Sequence, residues 1–272
     1  MKRSFIAFIL LFGVIVFTLP PITFADDPEA RAIMKKVDAR DDGDNQVSDM
    51  QMILIDKKGK ERIRRIRTFS KDKGKDTLKL IFFLHPADVK DTGFLTYDYD
   101  DPERDDDQWL YLPALRKTKR IASSDKSGSF MGSDLNYSDM TSRDLKDYDY
   151  TFYEKSKEMD VKGFKTWVIW STPRTKDVID ETGYEKSLLF VRQDNYYVIR
   201  AVNWVHDGGY LKYMDVRKLE HIDGIWVATE MHINKKKGKQ TAHKTILKLS
   251  DVKFNQDLDF ELFTVRRMEK GL

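Results

Sequence analysis

Apolar residues at positions 30, 33, 34 and 37 recur at helical spacing. They follow Asp27, Pro28 and Glu29, an acidic N-cap, a first-turn proline and an acid at the positive end of the helix dipole. The pattern predicts a short amphipathic helix, with Gly43 ending it. Beyond it the period changes to two. Met50, Met52 and Leu54 alternate, with Ile53 and Ile55 on the other parity. KKGK (57–60) reads as a hairpin turn before the basic strand ERIRRIRTFS, and KDKGK as the next turn before the apolar run 78–84, which His85-Pro86 stops.

The second half repeats the theme. Strands are expected at 164–170, 187–193, 196–205, 210–222, 225–233 and 241–249, separated by Gly-, Asp- and Lys-rich turns. Asp194-Asn195 reads as a two-residue hairpin turn. About ten strands without a βαβ rhythm indicate an antiparallel meander. Many of them, such as 196–205, are apolar on both parities. A flat sheet with one wet face would alternate more cleanly, so the pattern points to a curved sheet that packs on one face and covers a cavity or a helix with the other. The helix is one candidate cover. The stretch 123–147, rich in Ser, Gly and Asp, is the longest irregular segment and a second candidate.

The first 25 of the 272 residues form a separate unit. Lys2 and Arg3 precede an apolar run over 5–19, Pro20-Pro21 breaks it, and Thr23 and Ala25 suit a cut before Asp26. This is the pattern of a secretory leader cleaved after Ala25. The run is shorter than the ~20 residues a spanning helix needs. A periplasmic location follows, with 26–272 as one domain large enough to bury a core without staples. The chain has no cysteine, which excludes disulfides and lipid attachment at the cleavage site. Lys+Arg number 48 against 45 Asp+Glu, too even a balance to call for nucleic acid.

Candidate chemistry is sparse. His232 and His243 would face each other if the KKKGKQ hairpin were centred, but a third metal ligand is missing and a one-residue slip removes the pair. The acidic run 97–108 fails the calcium-loop pattern at Pro102. No nucleophile motif or phosphate loop is present, so neither enzyme, cofactor nor metal site is expected. What stands out is apolar. Trp109, Tyr111 and Leu112 lead into Pro113 and Leu115, and Phe130 and Met131 sit between glycines in the irregular stretch, with Tyr137 beyond. A Phe-Met pair there either plugs a core or closes an apolar pocket, and the core plug is the commoner case. The basic run 116–120 lies beside it.

WLYLPALRKTKRI (109–121) followed by SFMGSDLNYSDM (129–140) resembles the signature of the longer branch of the LolA-like superfamily, the outer-membrane lipoprotein-sorting proteins. FFLHP (82–86), GYLKYM (209–214), GIW (224–226) and DLDFELFTV (257–265) extend the likeness across the chain after its leader. The resemblance implies an α+β fold, a strongly curved antiparallel sheet or incomplete β-barrel with a helical and loop lid over an apolar cavity. It implies a monomeric carrier of lipid or lipoprotein acyl chains moving towards the outer membrane. The eight residues named above, from Trp109 to Tyr137, become candidates for cavity wall and lid. It also implies an inner-membrane export permease of the resistance-nodulation-division type as a possible partner. The second reading is a module that docks on such a permease without cargo. The cavity arginine of the shorter carriers has four competing counterparts here, Arg62, Arg64, Arg65 and Arg67.

Overall fold

The computed structural model describes residues 26–272. The predicted helix is α1 (Pro28–Asp38). The Asp27 carboxylate accepts from the Glu29 and Ala30 amides at 2.9 and 3.2 Å. The helix stops at Asp38 rather than Gly43, because residues 39–44 supply only charge, Ala39 and Gly43, with nothing large to bury. Its buried face is Ala30, Ile33 and Met34.

Fourteen strands follow, not ten: β1 (Asn45–Asp56), β2 (Glu61–Lys73), β3 (Asp76–His85), β4 (Gly93–Asp98), β5 (Asp107–Leu112), β6 (Lys117–Arg120), β7 (Tyr148–Phe152), β8 (Glu158–Val161), β9 (Phe164–Pro173), β10 (Tyr184–Arg192), β11 (Val198–Val205), β12 (Leu211–Ile222), β13 (Ile225–Lys237) and β14 (Gln240–Phe254). A further helix, α2 (Lys176–Thr182), interrupts the second half, and α3 (Val265–Glu269) closes the chain. The link from β10 to β11 is five residues, 193–197, with Tyr196 in the left-handed region, instead of a two-residue turn.

All pairings are antiparallel, in the order β6-β5-β4-β3-β2-β1-β14-β13-β12-β11-β10-β9-β7, with β8 also on β9. The first and last strands therefore meet mid-sheet, with Met52 opposite Leu247. β6 and β7 are edges, so the sheet is curved and not closed. The segment 121–147 runs from one edge strand to the other in a chain of short 3-10 turns.

Both faces of the strands are apolar for a reason. On β10, Leu189 and Val191 pack with α1, while Leu188 and Phe190 join an outer cluster with Val168, Ile199 and Val216. On β3 to β5 the outer residues Leu78, Leu80, Phe82 and Leu95 are covered by Phe263 and Met268 of the C-terminal segment. Gly93 makes that cover possible, since a β-carbon there would stand 2.4 Å from Met268 Cγ.

Candidate functional site

Between the concave face, α1 and the segment 121–147 lies a cavity of about 560 Å³. Met50, Met52, Ile66, Met214, Met231, Ile233 and Leu247 form the sheet wall; Met34 and Val37 of α1 and Leu135 and Met140 of the connecting segment face them. Methionine supplies six of these lining positions. Its unbranched, polarisable side chain repacks around differently shaped apolar guests.

Two sets of contacts hold the cover in place. Arg31 of α1 pairs with Asp26 and donates to the carbonyls of Leu145 and Tyr148 at 3.0 and 2.6 Å. Asp26 in turn accepts from the Tyr150 amide at 2.8 Å, which ties the helix to the edge strand β7. Burial would raise the Asp26 carboxyl, but the Arg31 and Tyr150 hydrogen bonds hold it below the usual aspartate value. On the other side, Arg64 of β2 is buried and donates to the carbonyl of Met131, with its guanidinium 5.7 Å from the Phe83 ring centroid. Burial pulls its pKa down.

Met131 is in the left-handed region (φ 50°), and its carbonyl accepts from Arg64. Arg64→Ala is expected to leave that carbonyl without its charged donor. The loss is about 1–3 kcal/mol, with faster amide hydrogen exchange across 128–136. Unchanged exchange in that stretch would show that Arg64 does not hold the cover.

One end of the cavity is polar. Lys212 of β12, itself buried, donates to Asn136 Oδ1 at 2.7 Å and Tyr184 Oη at 3.0 Å. Tyr184 donates to Asp139 Oδ2 at 2.8 Å, and the Asn136 amide donates to the same oxygen at 2.8 Å. Burial lowers Lys212 to about 8. Burial, and then the Asp139 carboxylate, raise Tyr184 well above 10. Arg143 lines the same end and donates to Ser187 Oγ at 3.2 Å.

Behind Lys212, Asp134 Oδ2 accepts from His243 Nδ1 at 2.8 Å and from Thr245 Oγ1 at 2.7 Å. The other ring nitrogen of His243 is buried without a partner, so no hydroxyl is presented to it as a nucleophile. His243 faces Lys235 across the hairpin and His232 faces Ile246, so the offset register separates the two histidines. No cluster of metal-ligating side chains occurs among the described residues.

Of the residues singled out from sequence, Phe130 lines the cavity, and Leu112, Met131 and Tyr137 pack on the cluster beneath it. Trp109 and Tyr111 point to the convex face, against Tyr97 and the C-terminal segment, because Gln108 and Leu110 take the inward parity of β5. Pro113 opens a 3-10 turn whose Leu115 is exposed. The methionines of β1, β12 and β13, together with Lys212, Tyr184 and Arg143, were not singled out. The alternation of Met50 with Met52 was their visible signal.

A family model described as an uncharacterized protein matches residues 75–270. The solved structure of a DUF1329 family protein from Desulfovibrio piger is 30% identical, with 90% of this chain and 99% of that chain aligned and a TM-score of 0.80. A domain from Vibrio parahaemolyticus, described as a candidate outer membrane lipoprotein-sorting protein, is 29% identical over 89% of this chain and 98% of its own, at a TM-score of 0.78. A LolA superfamily protein from Nitrosomonas europaea is 18% identical over 87% of this chain and 98% of its own, at a TM-score of 0.63, and shares the fold. No curated protein matches the chain.

Proposed function

The chain belongs to the DUF1329 family, and from that footing we propose that it is a periplasmic carrier, its cavity shielding acyl chains of a lipoprotein or lipid on the way to the outer membrane. The observation that carries the reading is the methionine-rich apolar cavity under a pinned helix and loop. A methylene in water is disfavoured by about 0.8 kcal/mol, so an acyl chain needs such a container to cross an aqueous space. A cavity of about 560 Å³ is within the ordinary range for enclosing a small apolar ligand. The polar lining is in two places: around Lys212, Tyr184, Asp139 and Arg143, and at and past the end of α1, at Asp38, Arg40 and Asp42.

The leader reading supports export, although residues 1–25 lie outside the described residues. No helix among the described residues is long and apolar enough to cross a membrane. In this reading 26–272 act as one monomeric domain, Phe130 contributes to the wall, and Leu112, Met131 and Tyr137 support the cover. The test is native mass spectrometry, with organic extraction, on the protein purified from periplasm without detergent. About one lipid or acylated peptide per chain is the expected result. An apo mass that persists after incubation with lipid vesicles would overturn the carrier and favour docking on an export permease.

A further inference from the structure

At the polar end of the cavity two cations flank one aromatic ring. The Arg143 guanidinium carbon is 5.4 Å, and Lys212 Nζ 5.0 Å, from the centroid of Tyr184. Neither cation touches a carboxylate among the described residues. Arg143 makes one hydrogen bond, to Ser187 Oγ; none of its other donors is buried without a partner, and the residue lines the cavity. Lys212 is 3% exposed and gives two of its three protons to neutral oxygens, Asn136 Oδ1 and Tyr184 Oη.

The carboxylates nearby are already engaged. Asp139 accepts from Tyr184 Oη and the Asn136 amide, and Asp134 from His243 and Thr245. The anions have their hydrogen bonds; both cations line the cavity and have donors left over, Arg143 after one hydrogen bond and Lys212 after two. Buried cations without a contacting anion are unfavourable, and an anion that brings its own oxygens relieves both the charge and the empty donors. A planar guanidinium fork matches the spacing of carboxylate or phosphate oxygens.

We propose that this end of the cavity binds the anionic head of an acyl ligand, a carboxylate or phosphate held by Arg143 and Lys212, with the chain along the methionine wall. The inference rests on the carrier reading and specifies the class of cargo. A neutral ester would offer a carbonyl to one donor and bring no charge.

The experiment is calorimetric titration of the full protein with oleate, oleyl phosphate and methyl oleate, which share the chain and differ at the head. At least one anionic ligand should bind ten times or more tighter than methyl oleate, and the better of the two identifies the head. Arg143→Gln should reduce that preference to threefold or less. Arg143→Lys should keep part of it, and Arg65→Gln, on the exposed face of β2, should keep all of it. Equal binding of all three ligands by the unaltered protein, or a preference that survives in a folded Arg143→Gln, would overturn the head-group site and leave the carrier standing. No binding of any of the three would remove the carrier reading and this inference with it.

Discussion

Phe130→Ala is expected to lower the stability of the protein by about 3–5 kcal/mol, and the melting temperature by about 10 °C for a chain of this size. Phe130 is 1% exposed and its ring lies 5.0 Å from Phe94, 5.7 Å from Tyr137 and 6.1 Å from Phe83 between centroids. Its backbone is fixed as firmly as its ring: the amide donates to the Leu135 carbonyl at 2.7 Å and its carbonyl accepts from the Ser133 amide at 2.9 Å. Truncation leaves a void that the neighbours cannot fill, because Phe83 and Phe94 are held in paired strands. The void would also merge with the ligand cavity, whose wall Phe130 forms. Urea and thermal unfolding measure the change. A variant that melts with the parent protein would mean that the residue is a surface flap and not part of the core.

That prediction shows where the sequence was informative. A Phe-Met pair between glycines admits two readings, core plug or pocket closure, and the pair divides between them. Phe130 is both core and wall, whereas Met131 turns its carbonyl towards Arg64. The sheet was legible because its turns carry Gly or Lys at the tips and its strands alternate or run apolar. Segments with weak patterns were not. β8 is a four-residue edge element with only Val161 buried. α2 is seven residues long, too short for a periodic stripe, and its only signals were the Thr175 cap and Gly183 at its end.

The curvature of the sheet decided the site itself. Trp109 and Tyr111 looked like cavity residues because they are large and aromatic, but alternation alone does not say which parity faces inward. The C-terminal segment takes one face of β3 to β5, and that settles it. Lys212, Tyr184 and Arg143 lie far apart in the chain, on β12, β10 and the connecting segment, so no local motif could join them. The family resemblance supplied the fold, and only the packing supplied the polar end of the cavity.

Lys212 should leave a signature in the pH dependence of stability. Its folded pKa is about 8 because burial disfavours the ammonium, against about 10.4 for an unperturbed lysine. Between those values the unfolded chain holds a proton that the folded chain releases, so this residue's contribution makes stability rise with pH. The full span is about 3 kcal/mol; below pH 8 both states are protonated and the unfavourable term is constant. Lys212→Met removes the titration. It also leaves Asn136 Oδ1 and Tyr184 Oη without the Nζ donor, but that loss is the same at every pH in the window. The stability of the variant minus that of the parent should therefore be highest near pH 7.5 and fall as pH climbs to 10.5, while titrating groups remote from Lys212 cancel in the difference. Urea unfolding of both proteins at intervals across that range gives the curve. A flat difference would mean that the ammonium is solvated in the folded state through the open cavity, and the electrostatic argument for a cation poised to meet an anionic head would lose half its basis, leaving Arg143 to carry it alone.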